Sequence, residues 1–151
     1  MCWAFPDTNI LIYYFADVIP DSEIAPIEEI LKTSFYLSII TKIEFFGFEK
    51  FSQDAFSQEL QFIRHATIFP LTEEIADIAI DLRRKSKIKL PDAVIAATGL
   101  HNNFTLITRN EKDYRDIAGL EIYNPFSINP FSKKTRMKSK TSHQSDENFA
   151  R

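Results

Sequence analysis

Residues 89–114, with the sequence KLPDAVIAATGLHNNFTLITRNEKDY, constrain the fold more than any other stretch of this 151-residue chain. From Pro91 to Leu100 the sequence is apolar nearly all round, which predicts a helix that is buried on most of its sides. The apolar segment 104–108 follows almost at once and predicts a short buried strand. A helix that leads directly into a buried strand is typical of α/β folds with parallel sheets.

The same stretch carries two carboxylates next to these elements. Asp92 lies at the start of the helix, and Asp113 lies just past the strand, at the end of a turn over 109–113. Acids presented in this way suit a metal site better than a core, because hard divalent cations prefer oxygen ligands. Structural readings stay open, since Asp92 also favours a helix N-terminus and Asp113 competes with Glu111 and Asp116 as a plain loop acid.

Short apolar segments alternate with helical patterns along the rest of the chain. We expect further strands at 3–5, 35–40, 67–71 and 120–123. We expect helices to begin near Asn9, Asp21, Thr41, Ser52 and Thr72, with Thr41 capping a helix over 41–50. This alternation predicts an α/β fold with a central, mainly parallel sheet flanked by helices. The carboxyl ends of such strands form the binding crevice, where Asp7, after the first strand, should meet the 109–113 turn.

Length and charge indicate how the chain is organised. We expect one domain over 1–128 and a basic, polar tail over 129–151 that is disordered. The tail from Phe131 carries six Lys or Arg residues and two acids, which gives it a net charge of +4. Because the whole chain has a net charge of −3, the preceding 130 residues have a net charge of −7. An acidic body is a poor electrostatic match for nucleic acid unless a bound divalent metal offsets the charge locally.

Cysteine content and hydropathy predict the compartment. Cys2 is the only cysteine, so an internal disulfide is impossible and a reducing cytoplasm is the natural environment. No apolar run approaches the roughly 18 residues that span a bilayer, and the first residues lack the pattern of a signal peptide. We therefore expect a cytoplasmic protein with no membrane partner.

Four carboxylates occupy places from which their side chains can converge: Asp7, Glu44, Asp92 and Asp113. Clustered carboxylates raise one another's pKa unless a cation lies between them, so the cluster predicts Mg²⁺ or Mn²⁺. Separately, Asp7 is also a plausible helix cap, and Glu44 alone is an ordinary solvated side chain. The sequence contains no Cys/His zinc spacing, no G-x-S-x-G motif and no P-loop, so zinc, serine and nucleoside triphosphate chemistry lack a motif.

Taken together, four blocks of the sequence resemble the PIN-domain nucleases, and among them the VapC toxins of toxin–antitoxin pairs. The blocks are DTNIL at 7–11, SIITKIEF at 38–45, LPDAVIAAT at 90–98 and LITRNEKDY at 106–114. They occur in the order of the family, and the resemblance extends from Met1 to about Phe126. It implies a three-layer PIN-like fold with a short-stranded, mainly parallel sheet.

The resemblance also implies the members of the site. Asp7, Glu44, Asp92 and Asp113 match the acidic quartet that holds the metal, with Asp7 and Asp92 as direct ligands. Four polar residues match the groups that orient the acids or the attacking water: Thr8, Asn9, Thr108 and Asn110. Tyr114 stands where Phe is commoner. Asn110 stands where some members carry a further acid, which favours one metal ion over two.

The implied activity is that of an Mg²⁺- or Mn²⁺-dependent endoribonuclease that leaves 5′-phosphate and 3′-hydroxyl ends. Proteins similar to VapC usually form homodimers and are inhibited by a VapB-type antitoxin. A Phe-rich surface is one candidate for antitoxin docking, although its rings equally suit a core: Phe15, Phe45, Phe46, Phe48 and Phe51.

Three alternatives stay open at the level of sequence. The runner-up among enzymes is a PIN nuclease of RNA processing without a toxin role. A catalytically silent PIN-like module that only binds a partner is a second possibility, although retention of four mutually repelling acids argues against it. A phosphoacceptor fold also places Asp at a strand end, but it requires a second Asp where this chain has Asn9.

Overall fold

A computed structural model describes residues 3–48 and 53–127, the side chains of 53–56 excepted. Five strands occur within these residues: β1 (Ala4–Pro6), β2 (Tyr36–Ser38), β3 (Thr67–Phe69), β4 (Thr105–Ile107) and β5 (Ile122–Tyr123). Seven helices alternate with them: α1 (Thr8–Phe15), α2 (Asp21–Thr33), α3 (Ile39–Phe46), α4 (Gln53–Ile63), α5 (Glu73–Lys85), α6 (Leu90–Asn102) and α7 (Glu111–Tyr114). None of the described helices is long and apolar enough to cross a membrane.

All strand pairs are parallel, as the alternation of elements predicts. Hydrogen bonds join β1, β4 and β5 in one group and β2 and β3 in another. The two groups lie side by side, because β1 contacts β2 and the ring of Trp3 lies 5.9 Å from that of Tyr36. The predicted central sheet is therefore present, but its hydrogen-bonded ladder is divided between β1 and β2.

Alternate residues of the three-stranded group pack into two separate hydrophobic clusters, one on each face. Phe5, Leu106 and Ile122 point to the face covered by α6, where they pack with Ile95 and Ala96. The neighbouring positions lie in the cluster on the opposite face, which includes residues of α1 and α2: Ala4, Ile107, Tyr123, Ile10 and Ile27. Since successive side chains of a strand point to opposite faces, helices cover both sides of the sheet. This confirms the three-layer α/β fold.

Helix α6 is buried as the sequence predicts, and small residues determine how closely it approaches the sheet. Gly99 lies two helical turns after Asp92, and therefore on the same side of α6. A Cβ atom at Gly99 would lie 3.0 Å from Phe5 Cε1 and 3.1 Å from Leu120 Cδ1. At its C-terminal end, Asn103 adopts the left-handed conformation with φ of 56°, and the chain turns directly into β4.

The sequence prediction around residues 35–50 is wrong at two places. The strand predicted over 35–40 ends at Ser38, and helix α3 begins at Ile39. Ser38 Oγ accepts a hydrogen bond of 3.2 Å from the Ile40 amide, so Ser38 is the helix cap, whereas Thr41 lies buried inside the helix. The helix also ends at Phe46, earlier than the predicted 41–50.

Other boundaries agree or lie outside the described residues. Thr72 caps α5 through a 3.3 Å hydrogen bond from the Ile75 amide, as predicted. The predicted 109–113 turn contains the beginning of the short helix α7. The predicted cap at Ser52 and the tail over 129–151 fall outside the part of the chain that the structure describes, and the division at residue 128 stays a prediction.

Replacing Gly99 with Ala tests the close approach of α6 to the sheet. Alanine has the better helix propensity by about 1 kcal/mol, but overpacking a buried contact typically costs about 1–3 kcal/mol. Because the neighbouring Phe5 ring is 1% exposed and cannot move aside, we expect Gly99→Ala to lower the free energy of unfolding by about 1 kcal/mol. Chemical denaturation measures this change.

A double-mutant cycle supplies the control. In a Phe5→Leu background the added methyl group has more room, so the cost of Gly99→Ala should shrink. A rise in stability on Gly99→Ala in the otherwise native chain would contradict the proposed contact.

Candidate active site

Asp7 lies at the carboxyl end of β1, where one backbone hydrogen bond and one side-chain hydrogen bond hold it in place. Its amide continues the parallel ladder by donating to the Ile107 carbonyl at 3.0 Å. Its side chain caps α1, because Oδ1 accepts a hydrogen bond of 2.9 Å from the Ile10 amide. The residue is 6% exposed, so its carboxylate lies within the protein. The interpretation of Asp7 as a helix cap is therefore confirmed, and its place in a functional site stays a prediction.

Thr108 connects the end of β4 to this carboxylate. Its fully buried hydroxyl donates to Asp7 Oδ2 at 2.6 Å and accepts from the Asn110 amide at 3.0 Å. The Thr108 amide in turn donates to the Tyr123 carbonyl at 3.0 Å. Thr108 is thus held by β5 on one side and hydrogen-bonds to Asp7 on the other.

Burial dominates the electrostatics of Asp7. It raises the pKa of the carboxyl from 3.8 to about 6, against the lowering effect of the hydrogen bonds from Thr108 and Ile10. The charges of Asp92 and Glu44 add to the rise in pKa. Asp92 and Glu44 therefore each lie within electrostatic range of Asp7.

Asp92 is half-buried in the first turn of α6, one residue after Pro91. Burial raises its pKa, and the charge of Asp113 contributes to the rise, whereas a hydrogen bond from Tyr114 opposes it. The Tyr114 hydroxyl donates to Asp92 Oδ1 at 3.1 Å. Burial, together with the nearby acids, raises the pKa of Tyr114 far above its usual range, so this group stays protonated and acts as a donor.

The role of Tyr114 was not predicted from the sequence. A phenol at a position where the family commonly has Phe was the available signal, because the hydroxyl of a buried tyrosine requires a hydrogen-bond partner. Tyr114 is 2% exposed, and Asp92 is one of the groups that its hydroxyl contacts.

Glu44 lies on an exposed part of α3, opposite the start of α1. Its Oε1 atom accepts a hydrogen bond of 2.8 Å from the Thr8 hydroxyl. Thr8 follows Asp7 directly and is 8% exposed, so the bond ties the Glu44 side chain to the rim of the Asp7 site. The prediction that Thr8 supports an acid agrees with this contact.

Asp113, Asn110 and Asn9 form the solvent-exposed border of the site. The Asn110 amide group donates to Asp113 Oδ2 at 2.6 Å, which orients the carboxylate on α7. Asn9 is exposed on the first turn of α1, next to Thr8, and among the described residues its side chain forms no hydrogen bond that would indicate a role. Electrostatic effects on pKa link the four predicted acids in pairs: Glu44 and Asp92 act on Asp7, and Asp113 acts on Asp92.

The donor set fits a hard divalent cation in an open site. No three of the described His, Cys, Asp or Glu side chains are grouped closely enough to enclose a metal ion. Mg²⁺, however, is commonly held by one or two carboxylates and keeps several waters. A cation beside Asp7 would also offset the repulsion from Asp92 and Glu44 that raises its pKa.

Arg109 is a cation close to the site that was not predicted from the sequence. It follows Thr108, and its guanidinium carbon lies 4.2 Å from the centre of the Phe126 ring and 5.5 Å from that of Tyr13. Such cation–π contacts hold the side chain on the α1 side of the site.

The family comparison agrees with this geometry. The model of the PIN domain family matches residues 4–120. Among solved structures, a chain of a toxin–antitoxin complex from Klebsiella pneumoniae is 32% identical in sequence with a TM-score of 0.65, and the match covers 83% of this chain and 99% of that chain. No curated protein matches the sequence.

More distant structures share the fold. A chain of VapBC-1 from nontypeable Haemophilus influenzae is 22% identical with a TM-score of 0.69, over 82% of this chain and 98% of that chain. A chain of VapBC2 from Rickettsia felis, solved with a DNA fragment from its promoter, is 23% identical with a TM-score of 0.67, over 80% and 97% of the two chains. Since the family model spans most of the sequence and the fold agrees, the chain belongs to the PIN domain family.

Proposed function

We propose that this protein is a divalent-metal-dependent endoribonuclease that acts as the toxin of a toxin–antitoxin pair. PIN domains are generally nucleases, which supports the reaction class. The observation that carries the proposal is the buried Asp7 carboxylate, which Thr108 fixes beside the charges of Asp92 and Glu44. Burying an acid among other acids is costly, and it is useful where a cation binds.

In this proposal Asp7 and Asp92 are direct ligands of Mg²⁺ or Mn²⁺, and Glu44 and Asp113 complete the anionic border. When bound, the ion supplies positive charge for an attacking water and for the phosphate. The proposed reaction is in-line attack on phosphorus with departure of the 3′ oxygen. It leaves 5′-phosphate and 3′-hydroxyl ends.

The other polar residues prepare the acids for this task. Thr108 and the Ile10 amide fix both oxygens of Asp7, and Tyr114 fixes one oxygen of Asp92. Preorganised side chains need no rearrangement when substrate binds, which lowers the barrier of the chemical step. The exposed amides of Asn9 and Asn110 are available to position water or a phosphate oxygen at the border.

The toxin role rests on the comparisons rather than on the site. The chain that is 32% identical to this one belongs to a toxin–antitoxin complex, and the VapBC structures share the fold. A VapB-type antitoxin is therefore the proposed partner, and homodimer formation and a cytoplasmic location stay predictions. Of the Phe residues that the sequence offers for docking, three contribute to the core, since Phe45 is fully buried and Phe15 and Phe46 pack against its cluster.

Asp7→Asn should stabilise the metal-free protein at neutral pH. The native carboxyl has a raised pKa, so the folded state binds more protons than the unfolded state between pH 3.8 and about 6. Stability is therefore lost as the pH rises through this window, by at most about 3 kcal/mol. Because Asn is also a good helix cap, we expect a gain of about 1–2 kcal/mol at pH 7.5 and little gain at pH 4.

Thermal denaturation with EDTA or with Mg²⁺ measures this effect and the metal site together. Mg²⁺ should raise the melting temperature of the native protein and leave Asp7→Asn nearly unchanged, because the ion would bind only the native carboxylate. Asp17→Asn, an exposed position, changes the net charge equally and is the matched control. Parallel pH profiles for the native protein and Asp7→Asn would contradict the buried-carboxylate account.

Cleavage of RNA tests the reaction. We expect the native protein to cut a single-stranded oligoribonucleotide with Mg²⁺ or Mn²⁺ and to lose the activity with EDTA. Asp92→Asn should lower kcat by at least about a hundredfold, because it removes a proposed ligand. Glu111→Gln, an acid of the same region outside the proposed site, should stay active. Activity that survives both chelation and Asp92→Asn would exclude the metal mechanism.

Growth of bacteria that express the chain distinguishes the toxin from a nuclease of RNA processing. We expect growth arrest that is relieved by co-expression of the adjacent reading frame and absent for Asp92→Asn. Normal growth with an enzymatically active protein would favour the processing role. Arrest that persists in Asp92→Asn would instead point to a binding module without catalysis.

A further inference from the structure

A cavity of about 500 Å³ lies beside the acidic site, between the segment that joins α5 to α6 and the segment that follows α7. Four half-buried aliphatic side chains that pack on the sheet core line it: Leu82, Ile88, Leu100 and Ile117. Its charged lining consists of Lys85, Lys87, Lys112, Asp81, Asp113 and Asp116. Asp113 is also one of the four predicted acids, so the cavity borders the candidate active site at this residue.

Cationic residues are concentrated in two segments of the chain that both reach this cavity. Twelve Lys and Arg residues precede Phe131, and eight of them lie in two short segments, 83–89 and 109–115. These segments are distant in sequence, and both contribute to the lining of the cavity. Three of these eight cations line the cavity itself, next to Asp113: Lys85, Lys87 and Lys112.

The charges in the lining do not cancel evenly. Lys85 Nζ lies 2.7 Å from Asp81 Oδ2, and Asp116 Oδ2 lies 4.0 Å from Arg115 Nε. Among the described residues, Lys87 and Lys112 form no such ion pair. Two ammonium groups are therefore available to an anion, next to a carboxylate assigned to the proposed metal site.

We propose that this cavity binds one nucleotide of single-stranded RNA adjacent to the scissile bond, with its phosphate at Lys87 and Lys112 and its base on the aliphatic floor. The proposal rests on the proposed ribonuclease function. Lys binds phosphate as a point charge, and a flat base buries apolar area on an aliphatic surface. The floor belongs to a packed core, so it is formed before the RNA arrives.

Kinetics with the double variant Lys87→Ala/Lys112→Ala test the phosphate contact. We expect KM for a single-stranded oligoribonucleotide to rise about tenfold while kcat stays within about twofold, because the contact binds rather than reacts. Each phosphate contact on a single strand contributes about 0.7 to the salt dependence. Because the two lysines share one phosphate, the slope of log kcat/KM against log salt should become shallower by about 0.7.

Two further variants separate the site from general charge effects. Lys32→Ala/Arg64→Ala removes the same charge from exposed positions outside the cavity, and it should leave KM and the salt slope unchanged. Ala118→Trp, at an exposed position in the lining, fills the cavity without a change of charge. It should raise KM and preserve the salt slope.

The outcomes distinguish this proposal from the proposed function. If the native protein cleaves RNA and the Lys variant and Ala118→Trp behave like the control, the cavity proposal is wrong and the ribonuclease stands. If the native protein does not cleave RNA, the proposed function fails, and anisotropy with a labelled oligoribonucleotide decides whether the two lysines bind it. If the variants weaken only the binding of the antitoxin, the cavity is a protein-docking site and the proposal is overturned.

Discussion

The hydrogen bond from Thr108 to Asp7 is the interaction on which the site depends. It joins the carboxyl ends of β1 and β4, 101 residues apart in the chain, and it lies in a buried environment. Because burial raises the Asp7 pKa to about 6, the ionised carboxylate is costly at neutral pH without a cation. The fold holds this acid in place through the ladder, the α1 cap and Thr108 together. A residue held so firmly at a cost to stability is typical of a functional position.

The arrangement of the layers explains how the other acids reach Asp7. Helix α6 lies close to β1 because Gly99 leaves no side chain between the helix and Phe5. Asp92, two turns earlier on the same side, is thereby brought near the end of the strand. Glu44 comes from α3 and is tied to Thr8, while Asp113 comes from α7 and is tied to Asn110. Each acid thus has its own local support, and only Asp7 and Asp92 are substantially buried.

The α/β fold followed from the sequence because strands and helices differ in the period of their apolar residues, and strands buried on both sides read as unbroken apolar runs. The start of α3 was missed, because Ser38 and Thr41 can both cap a helix and the Ile39-Ile40 pair suits a strand as well as a buried helix. The division of the sheet and the hydrogen bond from Tyr114 depend on tertiary contacts that no local pattern encodes. The cavity lined by residues of 81–88 and 112–118 could not be predicted for the same reason.

The distance in sequence between Asp7 and Thr108 has a consequence for synthesis on the ribosome. A nascent chain that has reached the end of α3 contains Asp7 and Glu44, but Asp92, Thr108 and Asp113 have not yet been translated. Until β4 emerges and pairs with β1, Asp7 lacks both its partner strand and the hydrogen bond from Thr108. A peptide released early by a broken message therefore lacks the assembled site. The order of the elements delays the appearance of the acidic centre until most of the domain has been made.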